Sequence, residues 1–301
     1  MSATVIKQWC ESRKIIPEDE DEPFVLDYYV HADTMNYEEQ DLKVVISTQR
    51  LLKLVSKSDM VQAHGTYKLV WQGYPVIILG TTDKQHVFHP FAHAVCKDES
   101  SDDFAFVFRA VRAFNVEWTP SILLADGSEA ITRVFTDVFG APRVRLMCFF
   151  HVVHNIEKYM KPLKSKVSGQ IRCDLRALQT AKDEITFTIA SRLFLQKCKK
   201  EYPDFFKYFE EQWLSKNAEW YEGAALTFPS TNNGLEATNA WLKRAQTFGE
   251  RLPVGQFLNN MTDVARQWSE RRNPESENCT DFSNEPRPTL KEWTAAYQWT
   301  L

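Results

Sequence analysis

A mixed α/β domain followed by a long helical region is the fold class the sequence predicts, and three observations predict it. Between Thr66 and about Phe150, short apolar runs alternate with segments whose apolar residues recur at helical spacing. From His151 onward no strand pattern occurs, and prolines at 162, 203, 229 and 253 punctuate a helical periodicity. With 301 residues, 44% of them apolar and 25% charged, the chain can build a sizeable core. The same figures exclude a disordered chain, a collagen-like fibre and a disulfide-stapled miniprotein.

The elements follow in order. The stretch to about residue 60 is mixed, with one convincing helix over 48–57. Tyr67–Trp71, Val76–Thr82 and Val87–Val95 read as strands, the first two joined by a tight turn at Gln72-Gly73-Tyr74-Pro75. A two-residue loop there would pair Asp83 with His64, their Cβ atoms about 5 Å apart on one face. Phe104, Val107, Phe108, Val111 and Phe114 then mark a helix, and Ser121–Ala125 a short strand ended by Asp126-Gly127. Ile131, Val134, Phe135 and Val138 mark the next helix, and Arg143–Phe149 the strand after it. A sheet carrying a helical tail is the simplest architecture.

Charge is uneven along the chain. Residues 1–63 hold twelve acidic and seven Lys or Arg residues, centred on the run Glu18-Asp19-Glu20-Asp21-Glu22. Residues 141–200 hold thirteen Lys or Arg and four acidic residues. Such blocks are often only solvated faces, but a basic segment beside a catalytic-looking core also suits a phosphate backbone. Lys197-Cys-Lys-Lys200 is too short to read as a nuclear signal. The six cysteines include no C-x-x-C, which fits free thiols in a reducing compartment. No run of about 18 apolar residues and no basic-then-apolar leader occurs, so the chain reads as soluble and not secreted, without a membrane partner.

Three places could carry chemistry. Asp126 stands where an apolar strand stops, the position at which open α/β sheets place ligand groups; the plain alternative is a turn-forming Asp. Cys148-Phe-Phe-His151 follows another strand, and His151, His154, Lys158 and Lys161 share one helical face that could meet DNA phosphates. A lone C-x-x-H is half a zinc site at most, and a buried thiol beside a solvated basic face explains it equally. Ser230-Thr-Asn-Asn-Gly-Leu-Glu236 opens an amphipathic helix on which Glu236, Asn239 and Lys243 share a stripe.

In order along the chain stand Gly65-Thr-Tyr-Lys-Leu-Val-Trp-Gln-Gly-Tyr-Pro75, Gly80-Thr-Thr-Asp83, Phe88-His-Pro-Phe91, Leu124-Ala-Asp126-Gly, Met147-Cys-Phe-Phe-His151 and Thr231-Asn-Asn-Gly-Leu-Glu236. This series, over roughly residues 40–265, resembles the catalytic domain of Mutator-like element (MULE) transposases, a DDE family with a ribonuclease-H-like core. The resemblance implies a ribonuclease-H-like sheet flanked by helices, with a helical insertion between the last strand and the Glu-bearing helix. It divides the chain into an N-terminal flank 1–60, a strand-bearing core 61–150, an insertion 151–229, a core-completing segment 230–270 and a tail 271–301.

The resemblance also implies DNA strand cleavage and transfer by three acidic residues that hold two Mg²⁺ (or Mn²⁺) ions about 3.5–4 Å apart. Hard cations require oxygen ligands. By match, Asp126 is the second acid and Glu236 the third, both metal ligands, with Cys148 and His151 accessory. Where the family has its first Asp, this chain has His64, whose neutral imidazole offers one lone pair and favours softer metals. Asp83 is the ligand that could stand in. Two readings stay open: a transposase impaired at the first acid, or a catalytically inactive, domesticated remnant that binds DNA or protein.

As partners, the resemblance implies the DNA of transposon ends and targets and a homo-oligomer, and as location the nucleus. The zinc-binding modules that commonly flank the family's catalytic domain have no counterpart pattern in these 301 residues. Electrostatic contact through residues 141–200 is therefore expected rather than sequence-specific recognition of element ends.

Overall fold

The computed structural model describes residues 2–31, 41–198, 201–247 and 249–299. Seven strands form one mixed sheet: β1 (Phe24–His31), β2 (Asp41–Ser47), β3 (Met60–Thr66), β4 (Val76–Thr82), β5 (Phe88–Cys96), β6 (Ile122–Ala125) and β7 (Val144–Met147). Their order across the sheet is β1-β2-β5-β4-β3-β6-β7. Strands β3, β4 and β5 run as an antiparallel meander, and β6 and β7 join parallel to β3. Each parallel step needs a crossover. Helix α3 (Ser101–Phe114) leads into β6, and α4 (Glu129–Phe139) leads into β7. This five-strand arrangement is the ribonuclease-H-like core, and β1 and β2 widen it beyond β5.

The helices form where the sequence places them. Ser100 and Asp103 close a capping box at the start of α3, and Asp103 also pairs with Lys43 of β2 at 3.4 Å. Ile131, Val134, Phe135 and Val138 of α4 are all buried. Helix α1 (Ala3–Glu11) lies against β1, and α2 (Gln49–Val55) against β5. The acidic run is consumed by the fold. Arg50 of α2 holds Asp21 at 2.7 Å, Lys53 pairs with Glu20, and Arg266 reaches Asp19 and Glu22.

After β7 the chain turns helical: α5 (Phe149–Met160), α6 (Ser165–Gln179), α7 (Glu184–Cys198) and α8 (Pro203–Phe209), which widens into a π-turned segment over Glu210–Lys216. This insertion has its own aromatic core around Phe206, Phe209 and Trp220. The chain then returns to the sheet as α9 (Asn233–Trp241), which packs on β3, β4 and β5, and α10 (Val254–Glu270), which packs on β2 and β5. A last helix, α11 (Leu290–Trp299), lies in the tail. Among the described residues, no helix is long and apolar enough to cross a membrane.

Two expectations need correction. The first strand of the core is Met60–Thr66, not Tyr67–Trp71. Lys68 takes a left-handed φ of 70°, which ends the extended run, and Val70 makes only an isolated bridge to Leu252. The real strand is buried on both faces apart from half-buried His64, so it lacks the alternation that marks a half-exposed strand. Second, residues 1–60 are not a mere flank, because β1 and β2 belong to the central sheet.

Candidate active site

His64, Asp126, His151 and Glu236 each sit near an end of an element that the topology brings together. His64 lies in β3, two residues beyond Gln62, and Asp126 lies two residues beyond Leu124 of β6; Gln62 and Leu124 are paired neighbours. Side chains repeat every second residue, so His64 and Asp126 emerge on the same face of adjacent parallel strands. His151 is in the first turn of α5, directly after β7, and Glu236 is in the first turn of α9.

The convergence is tight around Glu236. His64 Nε2 lies 3.1 Å from Glu236 Oε1, and His151 Nε2 lies 3.9 Å from the same oxygen. The two imidazole rings stand 5.5 Å apart at 52°. All three side chains are half-buried. Among the described residues, His64, His151 and Glu236 are the group whose donor atoms all lie within 4.8 Å of one another. Asp126 is not one of the three, although its charge helps raise the pKa of His151.

Cys148 fastens this arrangement. Its buried Sγ accepts the backbone N–H of Asn232 at 3.3 Å, and its own N–H donates to Ala125 O at 3.1 Å. Phe149 N–H donates to Ser230 O at 2.9 Å, and Asn232 O accepts the N–H of Glu236 at 2.8 Å. The start of the Glu helix is thereby stitched to the β7–α5 junction. Burial opposes ionisation of the Cys148 thiol, but hydrogen bonding with His151 and the Asn232 amide holds its pKa below the ordinary value. The same bond with Cys148 pushes the His151 imidazole up, against burial and the neighbouring His64.

Asp126 is shaped by its turn. Its Oδ1 accepts the Ser128 N–H at 2.9 Å, and its carbonyl accepts the guanidinium of Arg145. Arg145 also donates to Thr132 Oγ1 at 2.7 Å and to the Leu146 carbonyl. Burial lowers the Arg145 pKa to about 10, against the charges of Asp126 and Glu219. Sequence reasoning missed Arg145. Its signal was a cation inside a short apolar strand, which a buried position tolerates only with partners.

Asp83 is not brought to His64. The loop after β3 places His64 opposite Ile78, five residues from Asp83 and therefore roughly 17 Å along the strand. The Asp83 carboxylate is buried and occupied elsewhere. It accepts the N–H groups of Gln85 and Val87 at 2.9 Å and of Ser283 at 3.1 Å, and meets His89 Nε2 at 3.2 Å. His154, Lys158 and Lys161 are exposed along α5 and its C-terminal end, as the helical face required. Phe150, also exposed, stacks on His154 with 9° between ring planes. Lys199 and Lys200 of the basic cluster lie outside the described residues.

The sheet order defines the class as a ribonuclease-H-like fold, with Asp126 directly after β6 and Glu236 in the first turn of α9. Comparison with protein families agrees over part of the chain. The family model of the MULE transposase domain matches residues 60–155, and that segment is similar to it. That span holds β3 to β7 together with His64, Asp126, Cys148 and His151, while Glu236 lies beyond it. No curated protein matches the chain.

Proposed function

We propose that this protein is a MULE-type transposase domain that binds DNA but has lost most of its strand-cleaving and strand-transferring chemistry. One observation carries this reading: His64 Nε2 sits 3.1 Å from Glu236 Oε1. A DDE centre needs a carboxylate at position 64 that holds Mg²⁺ jointly with its neighbours. Here an imidazole with one lone pair occupies that place, and it takes up an oxygen of the third acid. The donor set of two imidazoles and one carboxylate does not suit a pair of hard cations. Losing one such group from the machinery that neutralises charge at a scissile phosphate costs at least about 10²–10³ in rate.

The charged surface supports DNA contact. His154, Lys158 and Lys161 extend from His151 along α5, and phosphate neutralisation by such side chains gives affinity without sequence preference. Action on chromosomal DNA would place the protein in the nucleus, and action on two element ends would use a homo-oligomer.

The experiment is plasmid nicking in Mg²⁺ or Mn²⁺, with duplex binding measured alongside by fluorescence anisotropy. The unaltered chain should bind DNA with affinity that falls steeply with salt, and should not nick. Nicking should appear in His64→Asp and vanish again when Asp126→Ala is added. Nicking by the unaltered chain that Asp126→Ala abolishes would refute the proposal.

A further inference from the structure

We propose that His64, His151 and Glu236 form a mononuclear site that selects a borderline transition-metal cation, Zn²⁺ above all, over Mg²⁺. The inference deepens the reading of the site given above and rests on it only for the site's place in a transposase fold.

Donor chemistry comes first. Two imidazole nitrogens and one carboxylate oxygen suit Zn²⁺ and its transition-metal neighbours, whereas Mg²⁺ prefers oxygen throughout. Geometry agrees. Bonds of 2.0–2.2 Å at tetrahedral angles place donor atoms roughly 3.3–3.5 Å apart. The separations from Glu236 Oε1, 3.1 Å to His64 Nε2 and 3.9 Å to His151 Nε2, lie on either side of that value. Adjustments of about half an ångström would bring both histidines to this distance from Glu236, and all three donors already lie within 4.8 Å of one another. Three protein ligands leave a fourth position for water, the pattern of zinc sites that are not purely structural.

The ligands come from three elements that cannot drift apart. His64 is held in β3 by pairing with Ile78 of β4, and the start of the Glu236 helix is fastened to Cys148, three residues before His151. Asn232 and Asn239, one helical turn on either side of Glu236, are buried, and neither side chain has a hydrogen-bond partner. They leave polar capacity unspent beside the carboxylate, where an ion's bound water would use it. Cys148 is not a ligand, because its sulfur faces the Asn232 amide and lies outside the donor group.

The test uses the full chain stripped with EDTA. Zn²⁺ affinity is measured by competition with a chromophoric chelator, stoichiometry by elemental analysis, and geometry by the visible spectrum of the Co²⁺ form. One Zn²⁺ per chain is expected, with the spectrum of a four-coordinate ion, and millimolar Mg²⁺ should not displace it. His64→Ala, His151→Gln and Glu236→Gln should each weaken Zn²⁺ binding by at least about 100-fold while circular dichroism remains that of the folded chain. Using three separate variants keeps the test decisive if one fails to fold. Cys173→Ser with Cys279→Ser should leave affinity unchanged, which excludes stray binding at the accessible thiols. His64→Asp should weaken Zn²⁺ and admit Mg²⁺ or Mn²⁺.

Zn²⁺ affinity equal in the unaltered chain and in the folded ligand variants would overturn the inference, as would equal competition by Mg²⁺. These failures are separate from failure of the proposed function. Mg²⁺-dependent nicking by the unaltered chain refutes the latter, whereas absent Zn²⁺ binding leaves DNA affinity and lack of nicking untouched.

Discussion

Gly234 offers a direct test of how the Glu helix is seated. It lies in the first turn of α9, two residues before Glu236, and a Cβ there would fall well inside contact distance of Phe88 Cβ, with Phe88 Cγ at 3.2 Å and Cα at 3.6 Å. Phe88 begins β5, so its backbone cannot retreat without breaking the Thr82–Phe88 pairing. Restoring carbon–carbon contacts to 3.5–4.0 Å requires the helix to move by about 1 Å. Gly→Ala inside a helix normally stabilises by about 0.5–1 kcal/mol. Here an overpacking penalty of about 1–3 kcal/mol outweighs it, so Gly234→Ala should destabilise by about 1–2 kcal/mol. The same displacement carries Glu236 away from His64 and breaks their 3.1 Å contact. Gly169, in α6, is the control, because nothing lies within 4 Å of its added Cβ. Gly169→Ala should stabilise by about 0.5–1 kcal/mol. Urea unfolding of both variants, with NMR of the His64 ring, decides the matter. Equal stabilisation by both substitutions, with the His64 signals unmoved, would show that the helix does not seat Glu236 through this contact.

Three further outcomes follow from buried polar groups. Burial lowers the His89 pKa to about 4, helped by Arg272 and opposed by Asp83, and lowers that of His93 to about 3. Both histidines are held neutral in the fold, so their stability contribution is complete above about pH 6.5 and is lost as pH falls below it, by up to about 1.4 kcal/mol per unit for each. Urea titrations between pH 6 and 4 should show this slope, and His93→Phe should remove about half of it; an unchanged slope would contradict the assignment. Burial opposes the charge of Asp21, yet hydrogen bonds from Arg50, Ser269 and Asn273 keep its pKa below the ordinary value. Asp21→Asn should therefore cost about 1–3 kcal/mol at pH 7, with the difference from the unaltered chain shrinking in acid below the unfolded pKa. Arg145→Leu leaves the carbonyls of Asp126 and Leu146 without their donor and should cost about 2–4 kcal/mol in thermal unfolding; a neutral effect would mean that water replaces the guanidinium.

Much of the fold was legible because its signals are local. The apolar spacing of Phe104, Val107, Phe108 and Val111 marks α3 at sight, and all four are buried. The turn chemistry of Asp126-Gly127 marks the end of β6 equally well. What misled was a strand without alternation. Met60-Val-Gln-Ala-His-Gly-Thr66 is covered on both sides and contains glycine and histidine, whereas Tyr67-Lys-Leu-Val-Trp71 is rich in aromatic and apolar residues yet bends at Lys68. Moving the strand moves its register, and register decides which side chains meet. That single shift carried Asp83 away from His64 and into a buried turn beside His89. The strands Phe24–His31 and Asp41–Ser47 are rich in branched and aromatic residues, but nothing local says that β2 adds to β5 and β1 to β2, so their place in the central sheet was not legible.

At the site, the resemblance put position 64, Asp126 and Glu236 together, but the part that His151 takes was not legible. His151 looked accessory, and its meeting with Glu236 arises because α5 and α9 both start against the β7 end of the sheet. His64 likewise read as a missing acid, although in the fold it is a replacement with its own logic. Carboxylates clustered without a cation repel one another, while an imidazole beside Glu236 satisfies it through a hydrogen bond. The site therefore no longer needs metal for its electrostatic balance. His64→Asp should restore that need. The shorter carboxylate cannot bond to Glu236 and leaves a gap that a cation must fill, so the metal-free variant should lose about 1–3 kcal/mol to like-charge repulsion. Millimolar Mg²⁺ or Mn²⁺ should return that stability in thermal unfolding, and should not stabilise the unaltered chain. If Mg²⁺ stabilised both proteins alike, the histidine would not have changed what the site asks of an ion, and the proposed loss of cleavage would lose its physical ground.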